Sequence, residues 1–157
     1  MTTDTLFDAL IRAGKRPAIV ARPTCTVGIL FRERDMDYYL VDTDYEMNAK
    51  VCELIMEDKH DVIVVHPCDF DSVMHKYGPE SIEALSELKV ISSSYAAIDK
   101  LIREHWSSHN VLCGIAMDHG CHTTKEGTGT HGTDMPEDLN ITHLYKAYKK
   151  NPEENSK

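Results

Sequence analysis

The residues able to do chemistry in this sequence are mostly histidines and aspartates, and they fall in three clusters. Nine histidines occur in 157 residues, all after residue 59. In the stretch His66-Pro-Cys-Asp-Phe-Asp-Ser-Val-Met-His-Lys-Tyr-Gly-Pro79, Asp71 and His75 stand four apart, a spacing that lets both side chains meet one ion across a helical turn. Asp118 and His119 are adjacent, just beyond an apolar run, where a bend in the chain aims both into one crevice. Twelve residues further on, Gly129-Thr-His-Gly132 offers His131 on a glycine-flanked loop able to fold back over that crevice. Five oxygen and nitrogen ligands exceed what one catalytic zinc takes from protein, so the count points to two divalent ions. Zinc and manganese suit such a histidine-rich Asp/His set best.

The elements that must position these residues follow from periodicity. Leu6, Phe7, Leu10 and Ile11 recur at helical spacing before Gly14, and Pro17–Ala21 is an apolar run of strand length. Residues 37 to 41 read as a second strand. Thr43 and Glu46 form a capping-box pattern that opens a helix through Met47, Val51, Leu54 and Ile55, ending near Asp58. Asp61–Val65 has four consecutive β-favouring residues without alternation, which predicts a strand covered on both faces and stopped by Pro67. Ile82, Leu85, Leu88, Ile91, Tyr95, Ile98 and Leu101 predict one long helix, started by Pro79 and ending near Trp106. Val111–Ala116 is a fourth strand, followed by a long glycine-marked loop and, from Lys146, a polar frayed tail.

Strands alternating with helices imply an α/β fold, a mostly parallel sheet with helices on both faces. In such sheets ligands bind beyond the carboxyl ends of the strands, and the segments after residues 65 and 116 are the ones that hold the clusters. One domain fits the length, over residues 1–145 with residues 146–157 as the tail.

Composition narrows the class. Twenty-six acidic against seventeen basic residues give a net charge of −9, which repels a phosphate backbone and excludes a nucleic-acid-coating surface. A phosphate ester would be held by such a protein only where bound metal inverts the local potential. No apolar run approaches a membrane span or a signal-peptide core, so no membrane partner is expected. The five cysteines are odd in number and lack a Cys-x-x-Cys, which fits a reducing, cytoplasmic setting.

Taken in order, Asp71-Ser-Val-Met-His75-Lys-Tyr-Gly-Pro79, Asp118-His119-Gly120 and Gly129-Thr-His131-Gly132 resemble the last three metal motifs of the alkaline phosphatase superfamily, nearest its type I phosphodiesterase and nucleotide pyrophosphatase-like branch. The resemblance covers roughly residues 4 to 145. It implies that Asp71, His75 and His131 bind one metal and that Asp118 and His119 bind the second, for hydrolysis of small phosphate mono- or diesters. Family members complete the second site with an aspartate and a Thr or Ser nucleophile near the amino terminus, and neither has a match here. The expectation is therefore a carboxy-terminal part of such a domain, truncated or split, or else a degenerate relative without catalysis. The chain alone is expected to turn over little, and an unpaired sheet edge would be covered by a homodimer or by the missing amino-terminal segment.

Blander readings stand beside these. Asp71 with His75 has a surface helix-start pair as its alternative, Asp118-His119 alone reads equally as a strand-end Asx turn, and His131 without the resemblance reads as a solvated loop residue. The whole chain also admits a non-catalytic α/β metal-binding module, or a flavodoxin-like domain with coincidental histidines. His122 is a candidate for a contact behind the ligands or with substrate. Asp69 is the rival ligand to Asp71. Cys121 is a further ligand candidate or a small buried hydrophobe, and His60, His66, His105, His109 and His143 read as structural or exposed. Thr24 and Thr26, flanking Cys25, are the residues that could mimic a nucleophile turn, but no helix is expected after them. Asp134, Glu137 and Asp138 read as a solvated acidic loop.

Overall fold

A computed structural model describes residues 3–151, which fall into two compact units divided between Cys68 and Asp69. The first unit is an α/β layer built on a three-stranded parallel sheet. Helix α1 (Leu6–Arg12) is opened by Thr5, whose backbone N–H and hydroxyl both donate to Asp8, at 2.8 and 2.6 Å. Strand β1 (Pro17–Ala21) follows a left-handed Gly14 and is buried along its whole length. After it come α2 (Thr26–Leu30), β2 (Asp37–Leu40), α3 (Asp44–Glu57) and β3 (Val62–His66). The strand order is β2-β1-β3 and both pairings are parallel.

The capping box on α3 is formed as its sequence predicts, with Glu46 N–H donating to Thr43 Oγ1 at 3.2 Å, and Asp58 ends the helix in the left-handed conformation. Ile19, Val20, Met47, Leu54 and Ile55 are the largest fully buried side chains. Phe7 packs edge-on against Phe31 at 4.8 Å, and Arg34 pairs with Asp8 at 3.0 Å beside them. Two expectations change here. The strand buried on both faces is β1, in the middle of the sheet, whereas β3 pairs with β1 alone among the described residues and is half-buried throughout. Moreover, a helix does follow Thr24 and Cys25: Cys25 caps α2, its sulfur accepting from Gly28 N–H at 3.3 Å, a signal too short for periodicity to register.

The second unit begins with α4 (Asp69–Tyr77) and the 24-residue α5 (Ile82–His105). Ser81, rather than Pro79, caps α5, accepting from Ala84 N–H at 3.1 Å. Strand β4 (Val111–Ala116) has the predicted bounds. The loop beyond it contains short elements of its own, β5 (His122–Thr123), β6 (Gly129–Thr130) and α6 (Pro136–Leu139). The chain ends its described course in β7 (His143–Tyr148), so the frayed tail expected from Lys146 is instead strand as far as Tyr148. β4 pairs with β7 in antiparallel register, Val111 opposite Tyr148 and Ala116 opposite His143. Asp99 on α5 pins β7 by accepting from Lys146 and Tyr148, and it also pairs with Arg103 at 2.9 Å. Those donors hold the Asp99 carboxyl well below the usual carboxylate range.

Candidate metal centre

Helix α4 carries two of the candidate ligands, and one glycine brings in the third. A Cβ built on Gly129 would lie 2.3 Å from the Met74 carbonyl oxygen, so only glycine lets β6 pass this close to α4. That passage places the Gly129 carbonyl 3.0 Å from His75 Nδ1. A carbonyl can only accept, so Nδ1 carries the proton and a neutral His75 presents its Nε2 lone pair inward. Opposite it, 3.1 Å away, is Nε2 of His131, two residues beyond Gly129. Asp71 Oδ1 lies 3.5 Å from the first nitrogen and 3.6 Å from the second.

This triangle has the chemistry of a cation site. Asp71 Oδ1 is screened from solvent yet has no hydrogen-bond donor, although the side chain as a whole is 42% exposed, so this one oxygen is left free to meet a cation. The point equidistant from the three atoms is about 2.0 Å from each, within the ~2.0–2.2 Å that zinc takes to imidazole nitrogen and carboxylate oxygen. The His75–Gly129 hydrogen bond is the kind of outer contact that fixes a ligating imidazole's tautomer and ring orientation. Asp69, the rival ligand, is outside the cluster.

His119 approaches the same place differently. Its ring stacks on that of His131 with centroids 3.6 Å apart and planes 20° from parallel. Nδ1 donates to the Gly120 carbonyl at 2.9 Å, leaving Nε2 as the lone-pair nitrogen, 3.7 Å from Asp118 Oδ1. The same Asp118 oxygen accepts from His119 N–H at 3.1 Å, but the Asx turn of the blander reading is not made, because its donor, Gly120 N–H, bonds the Asp138 carbonyl at 2.8 Å. Asp118 and His119 thus form a two-donor group next to the three-donor one. A Cβ on Gly120 would lie 1.8 Å from the Glu137 carbonyl, and so this glycine admits the α6 backbone behind the pair. Met74, Phe70, Met117, His119 and Cys121 line a mainly apolar cavity of about 250 Å³ beside these residues.

His122 is not with the ligands. Its Nδ1 donates to Asp138 Oδ1 at 2.8 Å, and Thr133 donates to the other Asp138 oxygen through its N–H (2.9 Å) and its hydroxyl (2.8 Å). Asp138 is 3% exposed, which overturns its reading as part of a solvated acidic loop. Burial pushes its carboxyl up, but the hydrogen bonds from His122 and Thr133 outweigh burial and hold it at about 2. Sequence reading missed this residue because an acidic group in a Pro-Glu-Asp helix start has no local mark of burial. Its one signal is the Pro136 helix start, which fixes where Asp138 points.

No family model matches the chain, and no curated protein matches it. Solved structures do. Murine ectonucleotide pyrophosphatase/phosphodiesterase 5, as an inactive form in complex with AMP, aligns with a TM-score of 0.59 at 20% identity, over 78% of this chain and 34% of that one. A second structure of the same murine protein aligns with a TM-score of 0.58 at 20% identity and the same coverage. The chain therefore spans about a third of the length of these neighbours. What it shares with them over that span is the alkaline phosphatase-like α/β fold, with its parallel three-stranded sheet and helices.

Proposed function

We propose that the chain is part of a metal-dependent hydrolase of small phosphate mono- or diesters, of the alkaline phosphatase superfamily type, over residues 1–145. The observation that carries this reading is the donorless, solvent-screened Asp71 Oδ1 facing two histidine Nε2 atoms. Asp71, His75 and His131 would hold one divalent ion, zinc or manganese, and Asp118 with His119 would contribute to a second. Such ions supply positive charge to phosphoryl oxygens and to the oxygens that attack and leave. The protein's part is to fix the Nδ1–H tautomers of His75 and His119 through the Gly129 and Gly120 carbonyls, leaving Nε2 of each as the ligand atom, and to hold His122 through Asp138. The AMP complex of the murine neighbour supports a nucleotide or similar small phosphate ester as substrate. The apolar wall of Phe70, Met74 and Met117 suits the organic portion of such an ester.

A second reading, a non-catalytic metal-binding module, is favoured by one observation. Asp118 and His119 offer two donors, where a catalytic zinc takes three from protein. Both readings predict metal in the Asp71 cluster; they differ in turnover. No helix of the described residues is long and apolar enough to cross a membrane. A cytoplasmic setting rests on the odd, scattered cysteines. A homodimer rests on the apolar side chains left exposed on β4 and β7, Leu112 and Leu144.

The test is manganese binding by the purified chain, followed by electron paramagnetic resonance, together with hydrolysis of a chromogenic phosphodiester. Manganese prefers oxygen and nitrogen donors and so reports this cluster. Binding should weaken at least about tenfold in Asp71→Ala and in His131→Ala. No manganese bound to the wild-type chain would sink both readings. Turnover by the metal-loaded wild type would select the hydrolase, and its absence with metal bound would select the module.

A further inference from the structure

The first unit contains a second convergence of ligand atoms, made of softer donors. β1 and β3 are adjacent and parallel, with Ala21, the last residue of β1, opposite His66, the last residue of β3. Cys25 follows β1 and Cys68 follows β3, so both cysteines and His66 emerge at the carboxyl edge of the sheet, where open α/β sheets bind their ligands. One ligand atom from each of Cys25, His66 and Cys68 lies within 4.8 Å of the other two. Cys68 Sγ is 3.5 Å from His66 Nδ1. A sulfur at ~2.3 Å and a nitrogen at ~2.0–2.1 Å from one tetrahedral zinc are separated by about 3.5 Å.

Both cysteines are anchored from outside the cluster. Cys25 Sγ accepts from Gly28 N–H at 3.3 Å, and a Cβ on Gly28 would lie 2.3 Å from the Arg22 carbonyl, which holds the start of α2 tightly to the end of β1. Cys68 N–H donates to Asp44 Oδ2 at 2.9 Å, and Asp44 Oδ1 pairs with Arg22 at 2.9 Å. Asp44 is itself 8% exposed, so the strap from β1 through Arg22 and Asp44 to Cys68 is largely desolvated. None of the five cysteines is in a disulfide. The three donors are half-buried, reachable by an ion and shielded from bulk solvent.

We infer that Cys25, His66 and Cys68 form a Cys2His site for one thiophilic divalent ion, zinc foremost, with the fourth position left to water or an incoming ligand. Two thiolates and an imidazole select zinc over manganese or magnesium, whereas the Asp/His set of the Asp71 cluster accepts zinc or manganese. The inference does not depend on the proposed hydrolase activity.

Cobalt(II) is the probe, because thiolate donors give it an intense near-ultraviolet charge-transfer band that carboxylate and imidazole donors do not. Titrating the purified, reduced full chain should raise this band to saturation. It should persist in Asp71→Ala and Cys121→Ser, fall by about half or more in Cys25→Ser, and vanish in Cys25→Ser/Cys68→Ser. Absence of the band in the wild type, or a band unchanged in the double variant, overturns the site. A measurement on the wild type alone guards against misfolded variants: zinc should slow iodoacetamide labelling of Cys25 and Cys68 about tenfold relative to Cys113. Equal labelling with and without zinc would refute it.

Discussion

The first unit is held by apolar contact around one strand, whereas the second is held by polar pins. In the first, every residue of β1 is buried, and Met47, Leu54 and Ile55 of α3 are among its most enclosed side chains. In the second, Ala84 and Ile102 are the buried hydrophobic residues among those described, while Ile82 is 80% exposed. Order there comes from Asp99 under β7, from Asp138 holding His122 and Thr133, and from glycines that let backbones touch. Apolar burial is non-directional and tolerates small shifts, so it suits a scaffold. Hydrogen bonds and backbone contacts fix direction, which is what ligands converging to within a few tenths of an ångström require.

This contrast makes unequal predictions. The largest effect on folding should come from Ile19→Ala, which removes a fully buried side chain from the middle strand and should cost about 2–5 kcal/mol in urea unfolding. Ile82→Ala, on an exposed position of α5, should stay within about 0.5 kcal/mol. Equal losses at the two positions would erase the distinction between the units.

Gly129→Ala should act next, and mainly on metal. Its new Cβ would meet a backbone oxygen that cannot rotate away, so β6 must move off α4 and carry His131 with it. We expect manganese affinity to fall at least about tenfold while the first unit's far-ultraviolet signal is kept. Retained affinity would show that the close approach does not position His131.

The smallest effect is a pH dependence. Asp138 has its folded-state carboxyl at about 2, below the ~3.9 of an unfolded aspartate. Its contribution to stability is therefore complete above about pH 4 and lost as pH falls towards 2. In Asp138→Asn the unfolding midpoint should be lower at neutral pH and flatter across that acid window. An unchanged acid profile would mean that the His122 and Thr133 contacts do not hold the carboxylate.

Much of the fold was legible because its signals are local. Pro17–Ala21 and Val111–Ala116 are strands with the bounds their apolar runs suggest, and Thr43 with Glu46 starts α3 as a capping box must. The failures share a cause. That β3 is half-buried while β1 is enclosed depends on neighbours in the sheet, not on the Val-Ile-Val-Val run itself. Residues 146 to 148 read as tail because a polar run begins at Lys146, and only pairing with β4 makes His143–Tyr148 a strand. The cluster of Cys25, His66 and Cys68 was invisible for the same reason, since strand register brings its members together.

The sequence by itself determined the donor types and the four-residue step from Asp71 to His75, because one turn of helix sets that geometry whatever surrounds it. It also determined glycine at 120 and 129, though not what those glycines are for. Only the tertiary structure decided that His131, 56 residues from His75, completes the triangle, that His119 stacks on it, and that His122 turns away to Asp138. Those outcomes rest on backbone approaches between segments far apart in the chain, and no local propensity encodes them.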